Sequence, residues 1–535
     1  MHTNTSAFQE LMNKNFIQQY ILKTALLAFL SLSALVSYSK DDSGKDDGRI
    51  KIGYISVKPK YDGKTVLRNP LNGWVMYASR NADESYWDTE FFVPELNKKV
   101  KAIDYASACY IRTSWSSLNP KDGVYAWNNP NSRIAKLIKG AEKRGLPVAF
   151  RIVVDGRDQG QNTPQFVFEA GAKYYLENPE NPNRQTPYPQ DPIFRKYYAK
   201  FIEAFAKEFN DPKRTSFIDA YGLGKWGEAH HVVYQDPKTE ETVDIEKTKE
   251  EVLDWVTDLY AKTFTKIPLV INYHRLVGHP ESWAPANPNS ERLLEKAIAK
   301  GYSLRHDAFG MTGYYQGWEK DFAKKWNFKR PIIMEGGWIT SKTHSYWIDP
   351  SGKYRKGHPE DVRKGEYVAS AEAHVNMMDF RVGDTESWFK EFSLVQGFNA
   401  EGGYRLYPDE INFPNQIKAN ATATITHRWK NMGWGYFPNN IPQWNYKYKV
   451  AFALLDAENI VKQVFVDQKA EPSNWLKGNS VTNDLKTKIE LPAGKYTWAI
   501  AIVDTTENNQ PAIQLAVEGE TTQEGWIKLN EIQVQ

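Results

Sequence analysis

The chain of 535 residues has a single cysteine, Cys109, which excludes an intramolecular disulfide and any multi-cysteine zinc site. It sits in the apolar run ASACYI at 106–111 and reads as a small buried hydrophobe. Charge of one sign is also missing: 68 basic residues face 65 acidic ones, a net charge of +3. With no long basic stripe and no nucleic-acid motif, no nucleic-acid partner is expected. There is no G-x-S-x-G elbow, so an acyl or peptide hydrolase lacks its usual nucleophile signal. H-E-x-x-H is absent too, and no metal or cofactor is expected. No internal repeat is present.

What is abundant is aromatic. Phe, Trp and Tyr make up 14% of the chain, with 18 Trp and 30 Tyr. Most of these rings fill cores, but rings on loops suit sugars, whose C–H faces lie flat on aromatic faces while their hydroxyls need polar partners.

The N-terminus reads as an address. Lys14 and Lys23 precede the apolar run TALLAFLSLSALVS at 24–37, which is too short to span a bilayer comfortably. Residues 1–38 are therefore expected to be a signal peptide and 39–65 a charged, flexible tether, with no transmembrane segment in the mature chain. Residues 35–42 (LVSYSKDD) resemble a Bacteroidetes lipoprotein signal, which implies export to the periplasm or cell surface of a Gram-negative bacterium. Tyr38 stands where the lipobox cysteine is expected, so there is no thiol to acylate.

From 66 to 407, apolar strands alternate with amphipathic helices. Strands are expected at 74–77, 106–115, 146–155, 217–224, 268–274, 303–309 and 331–334, and helices at 132–144, 193–209, 248–264, 291–300, 318–326 and 359–380. For an eighth strand, 388–394 and 402–406 compete. This grammar is that of an α/β fold, a (β/α)8 TIM barrel. From 408 to 535 short strands are separated by Asn, Gly, Pro and Asp turns without comparable helices, which describes a C-terminal all-β sandwich domain. The sandwich reads as a structural brace on the barrel in preference to a carbohydrate-binding module.

In such barrels the active site lies at the C-terminal ends of the strands. The fourth strand runs into GLGKWGEAHH (222–231) and the seventh into MEGGW (334–338). Each places a glutamate, Glu228 or Glu335, just past an apolar strand, beside glycines that let the backbone turn. Two carboxyls converging on one mouth are the minimum equipment for glycoside hydrolysis, one protonating the departing oxygen and the other attacking or activating water. Trp226, His230, His231 and Trp338 adjoin the pair as candidate subsite walls. Asp155 and Arg157 after strand three, and Asn272 and His274 after strand five, are candidate hydroxyl-binding groups. Asp307, after His306, reads as a substrate contact or a structural hydrogen bond.

The strand-two run RTSWSSLNPKDGVYAW (112–127) resembles the corresponding segment of clan A glycoside hydrolases such as families 42, 35 and 5, with Asn119 where Glu is usual. The G-x-W-G-E-x-H stretch, His306-Asp307-x-Phe309, Gly403-Tyr404-Arg405 and several sandwich segments resemble bacterial barrels carrying domain of unknown function 4832. The resemblance covers roughly residue 69 to the C-terminus. It implies a retaining glycosidase acting on a carbohydrate, with Glu228 as general acid/base and Glu335 as nucleophile. It also implies that Arg112 steadies the nucleophile and that Tyr314 or Tyr315 donates to it. Clan A usually has Asn before its acid/base, whereas Gly227 stands there. That departure keeps a second expectation open, a non-catalytic surface glycan-binding protein on a degenerate barrel.

Overall fold

The computed structural model describes residues 53–78, 84–155, 160–176, 180–182, 184–234, 245–273, 288–309, 315, 317–337, 359–381 and 385–535. The expected signal peptide and the first part of the expected tether lie outside them.

Apolar strands that each lead into a helix have both faces to cover, and a parallel sheet of enough such units closes on itself. Eight strands do so here: Gly73–Ala78, Ala106–Ser114, Val148–Val153, Thr215–Asp219, Leu269–Asn272, Tyr302–His306, Ile332–Met334 and Met377–Arg381 (barrel strands one to eight, in chain order). All neighbouring pairs are parallel, and strand eight closes onto strand one with Met377 opposite Gly73 and Arg381 opposite Tyr77. Helices Arg133–Lys143, Pro192–Phe209, Ile245–Thr263, Pro288–Ala299 and Gly317–Trp326 stand where apolar periodicity predicts them. Their starts follow capping chemistry: the Ser132 hydroxyl accepts from Ala135 N, and Asp191 accepts from Ile193 and Phe194 N ahead of Pro192.

The eighth strand is neither of the two expected segments. Residues 388–394 fall in the helices Thr385–Lys390 and Phe392–Glu401, and Leu406 begins a sandwich strand. The true strand was hidden inside the apolar spacing of 359–380. The helix there stops at Glu372, His374 takes a left-handed backbone (φ 57°), and the chain then runs extended as MMDFR. The bond from Asn376 N to Ile332 O starts its ladder on strand seven.

Side-chain alternation sends Val75, Tyr77, Tyr110, Phe217, Val270, Ile333 and Met377 into the barrel lumen, where they form one buried cluster. That cluster continues through Leu71, Tyr404 and Phe437 into the interior of the sandwich. The sandwich pairs a four-stranded sheet (Tyr54–Val57, Leu406–Pro414, Thr422–Asn431, Ser480–Lys488) with a second sheet built around Gly494–Asp504 and Tyr448–Leu455. Its first strand, Tyr54–Val57, lies inside the stretch read as tether and pairs antiparallel with Leu406–Pro414. Asn376 Nδ2 donates to Tyr436 O (2.9 Å) and Trp434 Nε1 to Val375 O (2.8 Å), so the start of strand eight is fastened directly to the sandwich. The closed N-terminal end leaves the opposite mouth for chemistry.

Candidate active site

Glu228 sits in a loop whose backbone is unusual at nearly every second position. Gly224, Trp226, Gly227, Ala229 and His231 all have φ between 57° and 80°. The loop is closed by bonds from Lys225 N to His230 O (2.8 Å) and Ala229 N to Leu223 O (3.0 Å), which compensate the local strain. A side chain at Gly227 would place its Cβ 3.1 Å from Ile152 O and 3.4 Å from the Arg151 stem, at φ 79°. Crowding together with the left-handed backbone is the physical reason that glycine stands here. Gly227→Ala is expected to lower the chemical-denaturation midpoint by the equivalent of roughly 1–3 kcal/mol.

Glu335 is held differently. Its N donates to His306 O (2.8 Å) and its carbonyl accepts from Phe309 N (3.1 Å), extending the ladder between strands six and seven by a further residue. Glu228 is 2% and Glu335 0% exposed. One carboxylate oxygen each of Glu228, Asp307 and Glu335 lie within 4.8 Å of one another.

Arginines from the strands neutralise this cluster. Arg151, on strand three, donates Nη1 to Glu228 (2.5 Å), Nη2 to Glu335 (2.6 Å) and Nε to Asp219 (2.7 Å). Arg305, on strand six, pairs with Glu335 and with Asp219, the latter at 3.1 Å, and Arg381, on strand eight, reaches Glu335 at 3.3 Å. Asp219 also accepts from Tyr110 Oη (3.2 Å). Arg151 and Arg305 lie over the Tyr110 ring at 5.7 Å and 4.3 Å.

This environment drives the two glutamates apart. Burial alone pushes Glu335 up, but Arg151, Arg305, Arg381 and Arg112 more than reverse it and hold the carboxyl well below the usual carboxylate range. For Glu228, burial is the largest effect and raises it, Arg151 pulls it back, and the charge of Glu335 pushes it up again. Asp307 is raised well above the usual range by burial, then by Glu228 and Glu335.

Asp379, on strand eight, is pushed up to about 7 by burial and by Glu335, although it accepts a bond from Gly336 N (2.9 Å). Its folded value lies above that of an unfolded aspartate, so its contribution to stability is complete below about pH 4 and is lost as pH rises through about 7. Asparagine mimics the protonated form and cannot ionise. Asp379→Asn is therefore expected to match the parent near pH 4.5 and to exceed it by up to roughly 4 kcal/mol near pH 8.5 in denaturation midpoints.

The other sequence-named residues scatter. His230 joins the site, with Nε2 3.2 Å from Glu228 Oε2, and Trp226 meets His230 edge to face at 6.2 Å with Lys225 over its ring. Asn272 is buried at the end of strand five and His231 is half-buried. Asp155 is buried away from the arginine cluster's bonds, accepting from Thr186 Oγ1 at 3.4 Å. Tyr315 packs on Phe309 and His306. Arg157, His274, Tyr314 and Trp338 lie outside the described residues. Arg112 donates to Tyr77 Oη (3.4 Å) and acts on Glu335 through its charge, while Arg151, Arg305 and Arg381 reach Glu335 directly. Arg151 is its Cα partner on the adjacent strand and takes the carboxylates, leaving Arg112 turned toward Tyr77.

Sequence reasoning missed Arg151, Asp219, Arg305, Asp379 and Arg381. The signal was parity: a charge inside a strand buried on both faces stands in the lumen or in the helix layer, and these five share the alternation of the lumen residues. Among the described residues, Glu228, Asp307 and Glu335 are a trio with spacing that suits a metal ion. Guanidinium groups already occupy oxygens of both glutamates and supply the positive charge a cation would bring.

No protein-family model and no curated protein matches the chain. Among solved structures it is similar to xylanase 10B from Thermotoga maritima, at 11% identity and TM-score 0.35 over 58% of this chain and 83% of that one. A trimodular GH5_4 endoglucanase matches at 12% identity and TM-score 0.36 over 86% and 78%. Endo-glycoceramidase II from Rhodococcus sp., as its lactosyl-enzyme intermediate, matches at 12% and 0.34 over 80% and 99%. The barrel stands on its own closed strand order. Among the described residues no helix is long and apolar enough to cross a membrane.

Proposed function

We propose that this protein is a glycoside hydrolase that cleaves an O-glycosidic bond of a poly- or oligosaccharide with retention of configuration. Glu228 serves as acid/base and Glu335 as nucleophile. The observation that carries the reading is the buried carboxyl pair itself, with an oxygen of each within 4.8 Å of the other and the two acidities driven in opposite directions. Retaining enzymes separate their carboxyls by about 5–5.5 Å, and inverting ones by about 6.5–9.5 Å to admit a water. The strand-two resemblance to clan A supports the same assignment, and the N-terminal segment supports export.

In the first step the ionised Glu335 attacks the anomeric carbon while Glu228 protonates the departing oxygen. Glu335 loses its negative charge to the new ester bond as Glu228 acquires one. Arg151 donates one Nη to each, so the charge it faces stays constant while the negative charge crosses from one carboxyl to the other. In the second step Glu228 takes a proton from water, whose oxygen displaces Glu335 from the sugar.

Proton NMR of the first-formed product from an aryl glycoside or oligosaccharide panel tests this. The expected anomer is that of the substrate; the opposite anomer would exclude a glycosyl-enzyme. The second reading, a glycan-binding protein without turnover, is favoured by the short bond from Arg151 to Glu228, which stabilises the carboxylate form. Glycan binding with no cleavage across the panel would select it.

A further inference from the structure

Three of the arginines in the lumen donate to carboxylates; Arg112 does not. Its Nη1 reaches only Tyr77 Oη, and its Nε and Nη2, both buried, have no hydrogen-bond partner among the described residues. A buried guanidinium with two unsatisfied N–H groups is costly, and native structures keep such groups chiefly where a ligand or water completes them. The two open donors are not arbitrary. Nε–H and Nη2–H point in parallel from one edge of the guanidinium, the fork that binds two oxygens of a single oxyanion.

The surroundings have the same polarity. Arg112 is the Cα partner of Arg151, and Tyr77 stands opposite Arg381, whose guanidinium lies 5.3 Å from the Tyr77 ring. Arg381, Tyr77, Arg112 and Arg151 thus occupy adjoining strands eight, one, two and three, while Asp219, Asp307 and Glu335 come from strands four, six and seven. Four guanidiniums, those of Arg112, Arg151, Arg305 and Arg381, gather around the two glutamates.

We propose that the sugar bound beside Glu228 and Glu335 carries an anionic group, a uronate carboxylate or a sulfate ester, held by the Nε–Nη2 edge of Arg112. The inference rests on the glycosidase reading for the position of the sugar.

Matched substrates test it: 4-nitrophenyl uronides, their 6-sulfated counterparts and the neutral parent glycosides, in both anomers. The wild-type enzyme is expected to prefer one anionic set by on the order of 100-fold in kcat/KM, and which set it prefers identifies the oxyanion. Arg112→Ala is expected to collapse that ratio by a similar factor. Arg112→Lys, which keeps the charge but not the fork, should recover about a tenth of it. Preference for neutral glycosides, or an anionic-to-neutral ratio that Arg112→Ala leaves unmoved, overturns the inference while the glycosidase reading stands. If Arg112→Ala does not fold, the wild-type preference and Arg112→Lys decide. If no substrate is turned over, the glycosidase reading fails, and calorimetry with glucuronate- and galacturonate-containing disaccharides against neutral ones decides the anion site alone. Selective uptake of the acidic sugars supports it, and no selectivity overturns it.

Discussion

Glu335→Ala is expected to abolish turnover, lowering kcat by on the order of 10⁴-fold or more, and sodium azide is expected to restore part of it with an activated aryl glycoside. The reason is geometric. Removing the carboxyl opens a space below the anomeric carbon, lined by Arg151, Arg305 and Arg381, that suits a small anion. Azide there forms the C–N bond directly while Glu228 protonates the leaving oxygen, a single displacement that yields a glycosyl azide of inverted configuration. In Glu228→Ala the sugar first joins Glu335, azide then displaces that ester, and two displacements yield retained configuration. The anomeric coupling constant of the isolated azide distinguishes the two. Retained product from Glu335→Ala would exchange the two roles, and wild-type turnover by Glu335→Ala would end the assignment. Because this variant strands three buried guanidiniums, Glu335→Gln is the companion that keeps the shape, and circular dichroism must show both folded.

Much of the barrel was legible because its signal is local. Runs such as PIIM or LVIN bounded by helices state a buried parallel strand without reference to anything distant, and the same local signal sets Glu228 and Glu335 just past strand ends. What could not be read depended on partners far along the chain. MMDFR has the apolar spacing of the helix before it, and only the ladder to strand seven and the fastening of Asn376 to Tyr436 make it a strand. Tyr54–Val57 is four residues long and owes its form to a partner some 350 residues later. In the site, the attractive motif was Arg112, while the working contacts belong to arginines in the middle of apolar strands. Arg151 lies in VAFRIV and Arg305 in YSLRH. A charge in such a run is too costly to bury without a lumen partner, so the lumen of this barrel was readable by parity once the strands were set. The backbone that aims Glu228 was not, since Trp226, Ala229 and His231 at positive φ carry no sequence signal.

Arg151→Met is expected to be the most damaging single change outside the carboxyl pair. Arg151 is wholly buried and, among the described residues, is the single group that touches Asp219, Glu228 and Glu335 together. Methionine fills similar space but leaves those carboxylates with less positive charge, and breaking such a buried pair typically costs about 3–5 kcal/mol. The pH dependence follows from Glu335. Its folded acidity is depressed, so it adds stability above the ordinary carboxylate range that is lost as pH falls through the folded value. Without Arg151 that depression shrinks, so the deficit of the variant should be complete from about pH 5 upward and narrow only as pH falls well below the usual carboxylate range, as read from denaturation midpoints. Catalysis should fall further than stability explains. The guanidinium that faces Glu335 before attack and Glu228 after it would be gone, at a loss of about 10²–10³-fold in kcat. Arg151 also pulls Glu228 down, so its removal should move the alkaline limb of the kcat/KM profile upward. Arg151→Lys would return one charge without the three directed bonds, so it should recover stability more than rate. A full recovery of rate by lysine would mean that Arg151 supplies charge alone and that its geometry across the two glutamates is incidental.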